Sequence, residues 1–167
     1  EMKPAEKTIR FHIKIYVLII IIGLAISGIT AFPLETELAY LVKITNNFPS
    51  IFKQWLATIY AAIKNTNQNF PYLSYGTDWL AFAHVMLAVL FIGPYKNPVK
   101  NKWIIEFGIV CCMAIIPLAL IAGNIRQIPF FWQLIDCSFG VIAIVPLLLT
   151  LQKIKTLQKI NAYEIYI

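Results

Sequence analysis

The sequence predicts an all-α integral membrane protein: a four-transmembrane-helix bundle with amphipathic interfacial helices in its long outer loop. Three observations carry that prediction. The 167-residue chain is 59% hydrophobic and only 13% charged, against roughly 25% charged in ordinary soluble domains. A chain this short leaves much of its surface outside any core, so the apolar surplus needs lipid to face. Second, four stretches free of Asp, Glu, Lys and Arg approach the roughly 20 apolar residues that an α-helix needs to cross hydrocarbon. Third, lysine and arginine are unevenly shared among the connections, the pattern that orients membrane helices. A soluble enzyme and a disordered tail are excluded. The net charge of +6 reads as an insertion signal and a match to anionic headgroups, with no nucleic-acid partner implied.

The first crossing is predicted at residues 15–33, where no charge appears and residues 16–25 are almost uniformly apolar. Lys3, Lys7, Arg10 and Lys14 precede it, as in a secretory signal. Its apolar run outlasts the roughly 7–15 residues of a signal core, so it reads as an uncleaved anchor. The second crossing, at 79–93, is interrupted only by His84. The third, at 103–123, is uncharged from Phe107 to Ile125 and reaches back past Glu106. The fourth, at 134–152, continues helically into a tail with lysines on its exposed side. Backbone groups in lipid must be bonded within the segment, so each crossing is a helix. Pro117 and Pro146 each remove a backbone donor, which predicts kinks in the third and fourth.

The connections have their own patterns. In the outer loop, 34–78, apolar residues at Ile51, Phe52, Trp55, Leu56, Ile59, Tyr60 and Ile63 make a helical stripe opposite Lys53, Gln54, Thr58 and Lys64. This predicts an amphipathic helix over 50–64, with Ser50 as its N-cap. A shorter stripe (Leu34, Leu38, Leu41, Val42) precedes it. Such helices lie in the membrane interface or roof the bundle. Residues 65–77 read as a polar, turn-rich linker, with Tyr72, Tyr75 and Trp79 at headgroup level. The two-proline segment 93–102 reads as a reverse turn between antiparallel helices. No internal repeat or low-complexity tract appears, and a single domain over 1–167 is expected. Ten of the fourteen lysines and arginines fall at the N-terminus, in 93–102 and in the C-terminal tail, which places both termini in the cytoplasm. Glu1, Glu6, Glu106 and Glu164 share that side, whereas Glu35, Glu37, Asp78 and Asp136 fall on the other. The small size makes a bacterial inner membrane the default location.

Ionisable groups at membrane depth are costly and require a reason. His84 lies six residues beyond Asp78, about 9 Å along a helix axis. It suits either a proton carrier or a neutral imidazole bonded to a neighbouring helix. Asp78 and Asp136 each fall where a crossing is expected to begin, so N-capping explains both, with Arg126 as an ion-pair partner for Asp136. The sharper expectation is that Asp78, His84, Asn124, Arg126 and Asp136 converge at the outer face. Asp136, Asp78 and His84 are then the candidate catalytic groups, and Arg126, Asn124, Trp132 and Tyr75 the candidate substrate-binding ones. Glu106 is one turn from Lys102, which is enough for a structural ion pair. Cys111 and Cys112 are adjacent and mid-span, and Cys137 is on another helix, so they read as small apolar residues. Two histidines at opposite ends suggest no haem or metal, and no cofactor is expected.

The stretches Gly123-Asn-Ile-Arg and Phe131-Trp-Gln-Leu-Ile-Asp loosely resemble the Gly-Asn-x-x-Asp-Arg and Phe-Asn-x-Ala-Asp motifs of lipoprotein signal peptidases. Those are small four-crossing enzymes with both termini inside and paired aspartates near the outer face. The chain departs from that pattern: no aspartate follows Asn124, and Trp132 stands in place of the second asparagine. What the resemblance implies is a layout, with Asp78 required to supply the missing acid from a different helix. Two functions follow from these readings. The polar inventory is thin and the apolar faces long, which favours an accessory or scaffold subunit of a larger membrane complex, partnered by membrane lipid and other membrane-protein subunits. The alternative is an outer-leaflet enzyme acting on a lipid or lipid-anchored substrate, with acid–base carboxylates and Arg126 on an anionic headgroup.

Overall fold

The structure, a computed structural model, describes residues 4–165. Glu1 and Lys3 of the basic N-terminal flank lie outside these residues. Among those described there is no strand, and seven α-helices follow one another with little between them. They are α1 (Pro4–Ala31), α2 (Leu34–Ile44), α3 (Ser50–Asn69), α4 (Pro71–Leu90), α5 (Ile92–Lys96), α6 (Lys102–Ile125) and α7 (Phe130–Ile165). Four helical stretches are long and apolar enough to cross a membrane: 6–31, 71–96, 102–125 and 130–160. At 1.5 Å per residue, the 36 residues of α7 extend about 54 Å, well beyond the roughly 30 Å of a hydrocarbon core. Both α6 and α7 run unbroken through Pro117 and Pro146.

The chain divides into two compact units, one formed by residues up to Ile22 together with Val89 onward, the other by Gly23–Ala88. In the first, α6 and α7 form an antiparallel hairpin. Small residues set the approach: a Cβ on Gly140 would stand 2.6 Å from the Cys112 carbonyl oxygen, and one on Gly108 would meet the Phe91 ring and Leu147. Close backbone contact at glycine is how helices pack where burial of apolar area supplies little drive. Ile13, Val17, Ile105, Leu147, Ile154 and Leu157 make the buried core of this unit. Lys14 lies over the Tyr95 ring, 5.7 Å from its centre, which ties α1 to α5. Two ion pairs follow the helical repeat at 2.8 Å: Arg10 with Glu6 and, as the spacing predicts, Lys102 with Glu106.

The turn from α6 to α7 has a specific chemistry. The Ile128 N–H donates to the Gly123 carbonyl (2.9 Å) and the Gln127 N–H to that of Asn124 (3.2 Å). This is the Schellman arrangement that closes a helix C-terminus, and its pivotal residue must take positive φ. Gln127 does so at +57°, where glycine is the usual occupant.

In the second unit, the end of α1 crosses α4 at Gly28, where an added Cβ would come within 2.8 Å of the Ala81 carbonyl oxygen. The α2–α3 hairpin closes through a 3-10 turn, Thr45–Asn47. The predicted stripe on α3 faces inward except at its start: Leu56 is buried and Phe52, Trp55, Ile59, Tyr60 and Ile63 are half-buried, whereas Ile51 is exposed. Ser50 does not cap this helix. Pro49 occupies the cap position with no side-chain bond, and its carbonyl takes the Phe52 and Lys53 N–H groups.

Residues 65–77, expected to be a linker, are helical except at Phe70. The polar run Asn65-Thr-Asn-Gln-Asn extends α3, and within it the Asn69 Nδ2 donates to the Asn65 carbonyl and carboxamide oxygens. Pro71 then opens α4 at once, as proline suits a first helical position where no N–H is needed. The consequence is that Asp78 is the eighth residue of α4 rather than its cap. Asp136 is likewise the seventh residue of α7, which starts at Phe130. Capping therefore accounts for neither acid. Nor does Arg126 pair with Asp136 among the described residues; it ends α6 with its side chain exposed. Segment 93–102 contains the short helix α5, and the Asn101 carboxamide ties its end down by donating to the Gly93 and Asn97 carbonyls.

Candidate functional site

The second unit holds a cavity of about 100 Å³, lined by the end of α1, the start of α2, α3 and α4. Three side chains from three helices define one wall. The Asn67 Nδ2 of α3 donates to the Glu35 Oε2 of α2 at 2.7 Å. The Ser74 hydroxyl of α4 donates to the Asn67 carboxamide oxygen. Asn67 is thus held from both ends, and its donor fixes the Glu35 carboxylate without neutralising it. Asp78 lies one turn beyond Ser74 on the same face of α4 and completes the lining with Thr77. Among the described residues Asp78 makes no hydrogen bond and no ion pair, although it is only half-exposed.

Beside the cavity is a shallower apolar hollow of about 270 Å³, lined by Phe32, Tyr75, Asp78, Trp79 and Phe82. Asp78 and Phe32 belong to both. Tyr75, Trp79 and Phe82 stack edge to face in sequence, with centres 6.0 Å apart at each step, the geometry favoured by aromatic quadrupoles. Of the expected site residues, Asp78 and Tyr75 are therefore brought to one place. His84 belongs to the same unit but lines neither hollow. Its Nδ1 donates to the Leu80 carbonyl on its own helix at 2.8 Å.

The remaining expected residues, Asp136, Arg126, Asn124 and Trp132, belong to the first unit. The same unit holds a polar feature absent from the expectation. Gln133 is 1% exposed, and its Nε2 donates to the Ile128 carbonyl (2.8 Å) and to the Asn124 carboxamide oxygen (3.3 Å). Its Oε1 is buried without a bond among the described residues. The Gln133 side chain rests on Gly123, where a Cβ would come within 2.7 Å of it. Gln133 thus clamps the loop between α6 and α7, and Asn124 serves that clamp. Asp136 is half-buried one turn further along.

Glu35, Asn67, Ser74 and Gln133 escape a sequence reading. One signal was available: Pro71 directly after a polar run marks a helix start and places Ser74 and Asp78 on one helical face. Cys111, Cys112 and Cys137 are free. No three histidine, cysteine or carboxylate side chains come together in a metal-binding group among the described residues. Comparison with known protein families, with curated proteins and with solved structures finds no match to this chain.

Proposed function

We propose that this chain is a multi-pass protein of a bacterial inner membrane, a bundle of four crossings with both termini cytoplasmic, and serves as an accessory or scaffold subunit of a larger membrane complex. One observation carries the reading. Each of the four long helices leaves large apolar side chains uncovered, such as Ile29, Leu80, Leu118 and Ile142, the last 69% exposed. Water penalises that surface by roughly 25 cal/mol per Å², whereas lipid and neighbouring subunits do not. The polar groups support the same reading. Arg10, Lys102, Asn67 and Gln133 are engaged with partners inside the chain, as structural groups are. The lysine and arginine distribution supports the orientation.

The test is isolation of the tagged full chain, expressed at native level, in a mild detergent. The expected result is a particle larger than one chain with defined membrane proteins co-purifying in fixed ratio; a chain that runs alone overturns the subunit reading. A second reading, an outer-leaflet enzyme on a lipid or lipid-anchored substrate, is favoured by the unbonded Asp78 carboxylate. It assigns acid–base roles to Asp78, Asp136 and His84, and headgroup binding to Arg126. It fails if Asp136→Asn and His84→Ala leave function untouched while substitutions on the apolar faces abolish it.

A further inference from the structure

We propose that the cavity between the start of α2, α3 and α4, together with the aromatic hollow beside it, binds an organic ammonium group carried on an apolar chain. The proposal rests on the second unit alone and stands whether or not the chain is a subunit of a complex. It begins with an imbalance of charge. Two carboxylates, Glu35 and Asp78, line a cavity of about 100 Å³ whose lining contains no lysine, arginine or histidine. Neither is ion-paired among the described residues. A cation held in so small a space is attracted by both carboxylates.

The hydrogen bonding orients the charge toward a guest. Asn67 donates to Glu35 and accepts from Ser74, so its carboxamide is engaged on both sides. The Asp78 carboxylate and the Thr77 hydroxyl have no partner inside the chain among the described residues, and both line the cavity. An ammonium group, which offers three donors and no acceptor, matches a set composed of acceptors. The space equals roughly three times the ~30 Å³ that a water molecule takes in the liquid, enough for an ammonium and its first methylene.

The hollow selects among cations. A bare metal ion would use the carboxylates and make no use of the aromatic surface. The hollow shares Asp78 and Phe32 with the cavity and presents Tyr75, Trp79 and Phe82. An alkyl chain leaving the ammonium therefore meets aromatic surface, and the cation lies within reach of ring faces that attract it. A water-soluble alkylamine and the ethanolamine headgroup of a lipid offer this same chemistry.

The experiment uses the full chain in discs of phosphatidylglycerol, with calorimetric titration of hexylammonium, hexanol, methylammonium and calcium chloride. The expected result is saturable binding of hexylammonium, weaker binding of methylammonium, and no saturable heat from hexanol. Asp78→Asn should weaken hexylammonium at least 10-fold, whereas Glu37→Gln, an acid of the same unit outside the lining, should leave it unchanged. Trp79→Ala keeps both carboxylates and provides the test if Asp78→Asn does not fold. It should weaken hexylammonium about 3- to 10-fold and methylammonium by a smaller factor. Hexylammonium bound equally well by wild type and Asp78→Asn overturns the proposal, as does hexanol binding with equal affinity, or calcium binding more tightly than either amine. Repeating the titration in discs containing phosphatidylethanolamine identifies the source. A raised apparent Kd assigns the site to the lipid headgroup and an unchanged one to a soluble amine, and both support the ammonium assignment.

Discussion

Replacing Gly140 with alanine tests the packing of α6 on α7 at its tightest point. The added Cβ would stand 2.6 Å from the Cys112 carbonyl oxygen, whereas ordinary contact begins near 3.4 Å. The obstacle is backbone, which has no rotamer to escape into, so the helices must part by about 0.8 Å at this crossing. Overpacking of this kind costs about 1–3 kcal/mol. It is opposed by the roughly 1 kcal/mol by which alanine exceeds glycine inside a helix. Gly23→Ala isolates that second contribution, because nothing lies within 4 Å of a Cβ there. Gly140→Ala should therefore be less stable than Gly23→Ala by about 1–3 kcal/mol. At roughly 2–4 °C per kcal/mol for a chain of this size, the two melting temperatures should differ by about 2–12 °C. Cys112, 6% exposed, reports the same event locally. In a background carrying Cys111→Ser and Cys137→Ser, maleimide should label Cys112 faster in Gly140→Ala than in the parent. Equal melting temperatures for the two variants, with labelling unchanged, would refute the close crossing.

Three further outcomes are expected. Gln127→Gly should raise stability by up to about 1 kcal/mol in denaturant titration, because the +57° torsion suits glycine, whereas Gln127→Val should lower it. Gly123→Ala and Gln133→Ala should each destabilise the loop clamp, yet together cost less than their sum by about 0.5–3 kcal/mol, since the smaller side chain vacates the space the Cβ needs; strict additivity in the double-mutant cycle would contradict the contact. Asn67→Asp replaces the donor 2.7 Å from Glu35 with a second acid, and repulsion raises the pKa of the pair in the folded state. The resulting loss of stability, about 1–2 kcal/mol at neutral pH, should therefore diminish as the pH falls through that raised value, measured by thermal unfolding from pH 7 to pH 4.

The features legible in the chain are those generated by short-range periodicity. The four apolar helices, the inward stripe of α3 and the Lys102–Glu106 pair each depend on residues within one or two turns, so the 3.6-residue repeat suffices to place them. Polarity is a poor guide to where the helices start. Asn69 bonds to Asn65 within α3 while Asn67 reaches Glu35 and Ser74 on the neighbouring helices, and the α4 boundary is set by Pro71, not by the first charge at Asp78. That boundary changes the chemistry, because an acid at a helix start has a structural purpose and an acid two turns inside has none.

The all-helical class, the four apolar stretches and the charge asymmetry were determined by composition and local order alone. Tertiary structure decided which polar groups meet. Glu35 reaches Asn67 across 32 residues, and Ser74 and Asp78 join them only because the α2–α3 hairpin folds beside α4. Gln133 is buried because Gly123, ten positions earlier, leaves room for it. Helix periodicity depends on neighbours along the chain, whereas a polar contact depends on the shapes of two helices that periodicity leaves free to pair in many ways. The candidate site is therefore a product of packing, and the helices that carry it are a product of sequence.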